Sequence, residues 1–446
     1  MTRHVARRLP VQMGPAAWND ILGPQPVARP LENDGTADFV VVGGGFAGLA
    51  AARRLTQLQP RARIAVLEAG RIAQGAAGRN SGFMIDLPHE LTSEDYAGAG
   101  DETEMIALNR QAITFARSAV EDYGIDANYF DPAGKVNGAA SATAEAHNRS
   151  YAHHLASLGE ASQMLDRQQM FEMTGSRHYH SGLYTPGMVM LQPAGYIRGM
   201  AAGLVREGVD LFENTPVTGF TRQGKDWLVK TPSGTITTPR IILTVNGHLE
   251  SFGFARGRLM QLFFYAVMTP ELDDEALARI GGVSRWGITP SDPMGTTVRR
   301  IDTGQGGNRI ITRTCATLRT SAIPKRSDMD RAARVMQHKF DQRFPALAGL
   351  PMQYKWAGHL CLSINGVAVM RELDDGVFSG CVQNGLGTAR GTLTGIGAAE
   401  LACGVTSAIT SHFAVEAEPK RLPPWPLSQI GANAVLRWRE WRAKDE

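Results

Sequence analysis

A short glycine-rich segment, Gly43–Gly48, holds the residues best suited to bind a phosphate group. Glycines stand at Gly43, Gly45 and Gly48, in the spacing G-x-G-x-x-G. The first permits a tight turn, the second lets a pyrophosphate approach bare backbone, and the third lets a helix pack closely on a strand. A helix that begins here offers unpaired N–H groups and a partial positive charge. The spacing therefore predicts a dinucleotide site.

The elements around these glycines support that interpretation. An apolar, β-branched run at 39–42 predicts a buried parallel strand, and a helical pattern follows over 46–58. A second strand over 63–68 ends in Glu68, which lies 20 residues past Gly48 and can accept hydrogen bonds from a ribose. An acid here favours FAD or NAD over NADP. An ordinary glycine-rich turn is the alternative, but it does not explain the acid.

Three further segments could contact the same cofactor. Gly75–Gly82 combines small residues with Arg79, which could neutralise phosphate, although a flexible surface turn would also be glycine-rich. A buried strand starting at Ile241 ends at Asn246-Gly247, where the carboxyl edge of a parallel sheet would lie. Residues 384–392 form a late glycine-rich loop before a helix, and such a helix start suits a partial negative charge.

Composition narrows the class of protein. The chain has 446 residues, 43% hydrophobic and 20% charged, with a net charge of +3, which is typical of a globular protein and gives no reason to expect nucleic acid binding. Basic runs at 3–8 and 437–444 are predicted to be solvated tails. The four cysteines are widely separated, so we expect neither a disulfide framework nor a structural metal site. Free cysteines fit the reducing cytoplasm. We see no signal peptide at the N-terminus. The stretch from Leu393 to Val415 is predicted to be a buried small-residue helix rather than a transmembrane segment.

Taken together, these segments resemble the amine-oxidising branch of the D-amino acid oxidase family of flavoproteins, which includes sarcosine and glycine oxidases and oxidases of glutamylated or N-substituted amines. The resemblance covers about 38–410. It rests on five pieces in order: Val40–Gly48 with Glu68, Gly75–Gly82, Gln192-Pro193 before a helix predicted over 197–207, Asn246-Gly247, and the segment Gly385–Gly397.

The resemblance implies FAD as the cofactor. Cys361 lies one place out of register with the cysteine that carries FAD in sarcosine oxidases, so the implied attachment is noncovalent. The pyrophosphate would lie on the first glycines, the ribose on Glu68 and the adenine against the backbone of Val217. The cofactor-binding residues implied are Gly43, Gly45, Phe46, Ala47, Gly48, Glu68, Ala69, Arg71, Ala76, Gly78, Arg79, Asn80, Ser81, Gly82, Val217, Asn246, Gly247, His248, Gly385, Leu386, Gly387, Thr388, Ala389, Arg390, Gly391 and Thr392.

The expected fold class is α/β. A Rossmann-type, glutathione-reductase-like FAD-binding domain would carry an inserted α+β substrate domain on a largely antiparallel sheet, because 255–355 reads as longer, alternating strands. We divide the chain into an N-terminal arm (1–36), a discontinuous FAD-binding domain (37–95, 165–250 and 355–416), a substrate domain (96–164 and 251–354) and a C-terminal tail (417–446).

The resemblance also implies a reaction. A hydride would pass from the carbon beside a neutral amine nitrogen to flavin N5, and the imine would hydrolyse to an aldehyde or keto acid. Dioxygen or a quinone would reoxidise the flavin. Three residues are candidates for the substrate side: Arg313 for an anionic head group, Tyr265 for a carboxylate, and His359 to tune the amine's protonation. An ion-paired surface arginine, a core tyrosine and a structural histidine are the respective alternatives.

Two other functions remain open on sequence alone. One is an enzyme that uses NAD as an exchanging cosubstrate, which would leave the late glycine loop without a role. The other is a flavin-carrying subunit of a multi-subunit dehydrogenase, whose activity depends on partner chains. The sequence leaves the amine, the head group and the electron acceptor undetermined.

Overall fold

The computed structural model describes residues 2–88, 102–292 and 294–446. Our domain boundary at 95/96 falls outside these ranges. The helices of the described residues are α1 (Ala17–Asp20), α2 (Phe46–Leu58), α3 (Thr103–Tyr123), α4 (Ala142–Ser157), α5 (Arg167–Thr174), α6 (Pro193–Arg206), α7 (Asp274–Ile280), α8 (Arg326–Arg343), α9 (Ala389–Ala402), α10 (Ala408–Ala414) and α11 (Leu427–Arg442).

The strands form four sheets. In chain order they are β1 (Arg3–Val5), β2 (Gly35–Thr36), β3 (Phe39–Val42), β4 (Ile64–Leu67), β5 (Phe83–Met84), β6 (Phe130–Asp131), β7 (Lys135–Ala139), β8 (Gln163–Leu165), β9 (Ser181–Thr185), β10 (Val189–Leu191), β11 (Asp210–Phe212), β12 (Gly219–Gln223), β13 (Asp226–Lys230), β14 (Thr235–Thr238), β15 (Ile241–Leu243), β16 (Leu259–Met268), β17 (Trp286–Pro290), β18 (Thr297–Ile301), β19 (Arg309–Leu318), β20 (Tyr354–Ser363), β21 (Val369–Asp374) and β22 (Val377–Cys381).

A six-stranded sheet, in the order β11-β4-β3-β15-β22-β21, forms the cofactor half. Its strands are parallel except β21 at one edge. Helices α2 and α9 pack together against it, and their glycines allow the close approach: a Cβ on Gly395 would lie 2.1 Å from the carbonyl oxygen of Ala47. The predicted parallel, Rossmann-type half is confirmed.

An eight-stranded sheet forms the roof of the molecule's main cleft, in the order β20-β16-β19-β18-β17-β7-β9-β8. Its pairs are antiparallel apart from β17 with β7. The largely antiparallel sheet is therefore confirmed. It draws β9 and most of β20 from segments that our division gave to the cofactor half, because each completes its main-chain hydrogen bonds on this roof sheet. We propose that the last boundary lies near 364 rather than 355.

The two basic ends are not solvated tails, so that expectation was wrong. At the N-terminus β1 pairs with β12, and the ring of His4 lies 4.8 Å from that of Phe220. At the C-terminus α11 packs on β19, and the side chain of Lys339 bonds to the main chain of Lys444. Hydrogen bonds to other elements, invisible in a charge pattern, hold both segments.

The small-residue stretch from Leu393 to Val415 is largely buried, as predicted, but it forms two helices rather than one. Helix α9 ends at Ala402, and a short turn precedes the capping residue Ser407 of α10. In the part of the chain that the structure describes, no helix is long and apolar enough to cross a membrane.

Candidate active site

A cleft of about 370 Å³ runs between the carboxyl ends of the parallel strands and the roof sheet. Loops from the beginning, middle and end of the chain meet along it, as expected for a site at the carboxyl edge of a parallel sheet. The predicted residues that line it are Gly43, Gly45, Phe46, Ala47, Glu68, Ala69, Arg71, Ala76, Arg79, Asn80, Ser81, Gly82, Val217, Asn246, His248, Tyr265, Arg313, His359, Gly385, Leu386, Gly387, Thr388 and Gly391.

The first turn of α2 forms an anion cradle at one end of the cleft. Gly43 has φ of 107°, in the left-handed region that favours glycine. Gly45 caps the helix without a side-chain hydrogen bond, which leaves the first N–H groups of α2 available. Gly48 has a packing role, because a Cβ there would lie 1.8 Å from the carbonyl oxygen of Gly43.

Glu68 follows β4 directly and presents its carboxylate to the cleft. Its Oε2 accepts from the backbone N–H of Gly44 at 2.8 Å, and Oε1 accepts from that of Gly70 at 3.0 Å. Burial raises the pKa of this carboxyl, while the two main-chain donors act in the opposite direction. The remaining lone pairs can accept hydrogen bonds from a diol.

The late loop closes the other end of the cleft. Gly385, Leu386 and Gly387 line it, and a Cβ at Gly387 would meet no atom within 4 Å, so the backbone is open there. The hydroxyl of Thr388 donates to the carbonyl of Phe83 at 2.7 Å. This bond ties the late loop to β5, the strand directly after Gly75–Gly82.

Six of the predicted cofactor residues do not line the cleft. Gly48, Gly78 and Gly247 are sites of close packing; a Cβ on Gly78 would lie 1.8 Å from the carbonyl oxygen of Ala73. The guanidinium of Arg390 forms an ion pair with Glu416 instead. Ala389 and Thr392 lie buried in α9, and the hydroxyl of Thr392 bonds to the main chain of Thr388. These residues support the loops rather than face the cleft.

Arg79 borders the cleft, but carbonyl oxygens surround its guanidinium. It donates to the carbonyls of Gln74 at 2.7 Å, Gly14 at 2.9 Å and Met13 at 3.1 Å. Desolvation lowers its pKa to about 10, so it stays charged at neutral pH. The geometry gives Arg79 the role of fastening the N-terminal arm to the loop, which a charge pattern could not show.

The three candidate substrate residues lie on two faces of the roof. Directly opposite residues in paired strands share a face, and neighbours along a strand alternate. The register pairs Arg313 with Ala266, next to Tyr265 on the strand, and pairs His359 with Phe263. By this alternation Arg313 points to one side and Tyr265 and His359 to the other, although all three residues border the cleft.

Tyr265 and His359 lie in enclosed surroundings. Tyr265 is fully buried in an apolar cluster with Met329 and Met336, its hydroxyl has no hydrogen-bond partner within the described residues, and burial raises its pKa to about 12. The Nε2 atom of His359 lies 2.8 Å from Oε1 of Gln261. Burial, with a smaller effect from His248, lowers the pKa of His359 to about 3, so the ring is neutral.

Arg313 faces the cleft without a carboxylate partner in the described ranges. Its guanidinium lies 4.2 Å from the ring centroid of Phe264, and Nη1 lies 3.4 Å from the hydroxyl of Thr297. Desolvation lowers its pKa to about 10, which still leaves it charged at neutral pH. Arg313 is half-buried, and a partly desolvated charge is costly unless it is compensated, so this cation is suited to an anion brought by a ligand.

Comparison with known proteins decides the family. Residues 38–401 match the family model described as DAO, FAD dependent oxidoreductase. The chain belongs to this family. FAD is therefore its cofactor, which removes the alternative of an NAD-dependent dehydrogenase.

The relatives of this DAO-family protein are distant. A probable oxidoreductase OrdL of Rhizobium meliloti (strain 1021) is 25% identical over 54% of this chain and 56% of its own length. Gamma-glutamylputrescine oxidoreductase of Escherichia coli (strain K12) is 23% identical over 77% of this chain and 78% of its own. The chain spans about half the length of the probable oxidoreductases OrdL that it matches.

Solved structures agree on the fold. Glycine oxidase from Geobacillus kaustophilus superimposes with a TM-score of 0.69 at 18% identity, covering 88% of this chain and all of that one. L-Amino acid deaminase from Proteus myxofaciens gives 0.67 at 13% identity, covering 91% of this chain and 98% of that one. At these identities the likeness shows the fold of the DAO family and nothing finer.

The cleft fits the FAD that the family requires. The uncapped N–H groups of α2 suit a pyrophosphate, and the late loop offers open backbone at Gly387. Asn246 supplies a third sign: its Oδ1 is buried, borders the cleft and has no hydrogen-bond partner within the described residues. A bound molecule with N–H or O–H groups would satisfy that atom.

Sequence reasoning missed a row of polar residues beside Arg313. Thr297 and Thr289 line the cleft, and the register pairs Thr297 with Arg313 and Thr289 with Asn137. Behind them lies the buried Lys135, whose Nζ donates to Oδ1 of Asn137 at 2.8 Å and reaches the hydroxyl of Thr289 at 3.4 Å. The alternation Lys-Val-Asn at the start of β7 was the available signal, since residues two apart share a face.

Proposed function

We propose that this protein uses FAD to oxidise the C–N bond of a small amine or amino acid that carries an anionic head group. The observation that supports it most strongly is Arg313, a half-buried cation on the cleft face of the roof that has no acidic partner within the described ranges. A head group with a carboxylate, sulfonate or phosphonate would supply the missing charge.

The polar row extends this argument. Thr297 is within reach of the Arg313 guanidinium, and both residues line the cleft. Lys135, although not in the lining, adds a second cation behind Thr289; desolvation lowers its pKa to about 8, with Asp86 acting in the opposite sense. Two cations and two hydroxyls on one face would orient an acidic substrate by its head group and leave its amine to point at the cofactor.

The lining of the cleft offers little side-chain acid–base chemistry. Glu68 is its one described carboxylate and belongs to the predicted ribose site. His248 and His359 are neutral because burial lowers their pKa values to about 4 and about 3. The substrate amine would therefore bind in its neutral form, and FAD, when bound, would accept the two electrons taken from the C–N bond. The protein's contribution is to bind, orient and exclude water.

We further propose that FAD is held without a covalent bond to cysteine and that the protein works in the cytoplasm. Cys315, Cys361, Cys381 and Cys403 are free thiols, and none of them lines the cleft. Free thiols are typical of a reducing compartment. Acid precipitation should release the flavin into the supernatant; flavin that stays with the pellet would contradict the noncovalent proposal.

The experiment that tests the proposed function is anaerobic bleaching of the bound flavin by a panel of amines. Each acid in the panel is matched with its amide, which keeps the shape and removes the charge. We expect acidic amines to bleach the flavin at concentrations about ten-fold or more below those of their amides, because a charge-assisted contact contributes about 1.5–3 kcal/mol. Equal bleaching by acids and amides would rule out recognition of an anionic head group. No bleaching by any amine would rule out C–N oxidation.

A further inference from the structure

The C-terminal helix α11 has its apolar side turned outward. Its exposed large apolar side chains are Leu427, Ile430, Val435, Trp438 and Trp441, and Trp425, just before the helix, is 72% exposed. At 3.6 residues per turn these helical residues fall on one side of the helix, with Val435 at the border of the stripe. A surface helix of a globular protein normally buries such a stripe.

Polar contacts to β19 fix the helix in this orientation. The side chain of Asn433 accepts from the N–H of Leu318 at 3.0 Å and donates to its carbonyl at 3.1 Å. The carboxylate of Glu440 accepts from the N–H of Ala316 at 2.9 Å. The strand thus uses the polar face of α11 to satisfy its own backbone. Rolling the tryptophans inward would break these bonds.

The charge around the stripe is positive. Residues 419–446 contain three acids: Glu440, which is paired with Arg331 and Arg437, Glu446, whose buried carboxylate accepts from the hydroxyl of Ser141, and the exposed Asp445. The same segment contains six cations: Lys420, Arg421, Arg437, Arg439, Arg442 and Lys444. Arg442 lies over the ring of Trp438 at 5.0 Å and Lys444 over that of Trp441 at 5.7 Å, so positive charge borders the exposed aromatic rings.

We propose that this face of α11, with Trp425, docks on an anionic phospholipid surface. The tryptophan rings would lie among the head groups, where an apolar body with a polar N–H is favoured, and the flanking cations would meet lipid phosphates. A second copy of the chain fits less well, since it would bring an equally positive face into contact. The helix would lie in the plane of the surface rather than cross it.

The test is co-sedimentation of the full-length holoprotein with lipid vesicles. Vesicles of phosphatidylcholine alone are compared with vesicles in which part of that lipid is replaced by phosphatidylglycerol. We expect binding about ten-fold tighter to the anionic vesicles, weakening with added salt, and a loss of about ten-fold or more in the double variant Trp438→Ser/Trp441→Ser. The matched control, Val27→Ser/Val283→Ser, changes two exposed apolar residues elsewhere and should bind as the unaltered protein does.

Three outcomes would overturn the proposal. They are no binding to anionic vesicles, equal binding by the double variant and its control, or a concentration-dependent dimer that the double variant abolishes while vesicles stay unbound. The last would make this face an interface between copies. Flavin bleaching by substrate should be unchanged in the double variant. A protein that does not bind vesicles can therefore still carry out the proposed oxidation, and a protein that oxidises no amine can still bind vesicles.

Discussion

The two walls of the cleft are built on different principles. The cofactor wall presents mainly backbone: uncapped N–H groups at Gly45–Ala47 and an open glycine at 387. The roof presents side chains, Arg313, Thr297 and Thr289 among them. Backbone groups suit a cofactor shared by a whole family, whereas side chains can be exchanged to change the substrate. The difference indicates that substitutions on the cofactor wall act on flavin content and those on the roof act on substrate choice.

The largest effect is expected on the cofactor wall. In Gly48→Ala the new Cβ would lie 1.8 Å from the carbonyl oxygen of Gly43, so the turn must open and α2 must move. We expect loss of bound flavin and a lower melting temperature, measured by flavin absorbance per chain and by thermal unfolding. The control is Gly35→Ala, where a Cβ meets no atom within 4 Å. A fully yellow Gly48→Ala protein would contradict the backbone account of this wall.

Replacement of Arg313 should have the next largest effect, and should spare the flavin. Arg313→Ala removes the cation but leaves the cofactor loops untouched, so we expect KM for an acidic amine to rise about ten-fold or more. Arg313→Lys should recover part of that loss because it keeps a charge without the planar guanidinium. Steady-state kinetics with an acid and its amide checks this. The exposed Arg61→Ala serves as control. An unchanged KM would place the substrate elsewhere.

Lys135→Met should have a smaller, pH-dependent effect. The pKa of Lys135 is lowered to about 8, so its charge is present below that pH and is lost above it. Affinity for an acidic amine should fall as the pH rises through about 8, and this step should be absent in Lys135→Met. The charged neighbour is Asp86, which is itself paired with Arg110. The measurement is the Kd of an acidic analogue from pH 6.5 to 9.5. If the change in Kd near pH 8 persists in the variant, a group other than Lys135 causes it.

The smallest effects are expected at the two cleft residues whose side chains alternate away from Arg313. Tyr265→Phe and His359→Gln change side chains that face away from Arg313, so we expect kcat and KM to stay within about three-fold. Steady-state assays with the same amine check both variants. A loss of a hundred-fold in kcat for either would show that the reacting carbon lies on their side of the sheet and would reverse the assignment of faces.

The sequence predicted the cofactor wall of the cleft more completely than the roof, and the reason is physical. The glycine spacing, Glu68 and the late loop are local patterns in which main chain does the work, so they translate directly into structure. The faces of the roof depend on register, and β19 carries a bulge at Cys315, whose φ is 63°. A single extra residue switches the side on which later side chains point, and no residue pattern in the sequence predicted this bulge.

The same reasoning explains the other differences. Arg79 looked like a phosphate ligand because a cation stood in a small-residue loop, but carbonyls distant in sequence surround it. Helix α6 begins at Pro193, earlier than the predicted 197, because Gln192 caps it by accepting from the N–H of Gly195 at 2.9 Å. The contacts around Arg79 are tertiary, and glutamine is outside the usual set of N-cap residues, so neither feature follows from strand and helix periodicity.

The most direct test of how the two walls work together is a titration of the oxidised holoprotein with an acidic analogue that cannot be oxidised. If the flavin and Arg313 face one cavity, the analogue should shift the flavin absorbance spectrum, and its Kd should rise about ten-fold or more in Arg313→Ala while flavin content stays the same. A spectrum that never shifts, or a Kd that is equal in the two proteins, would contradict the account.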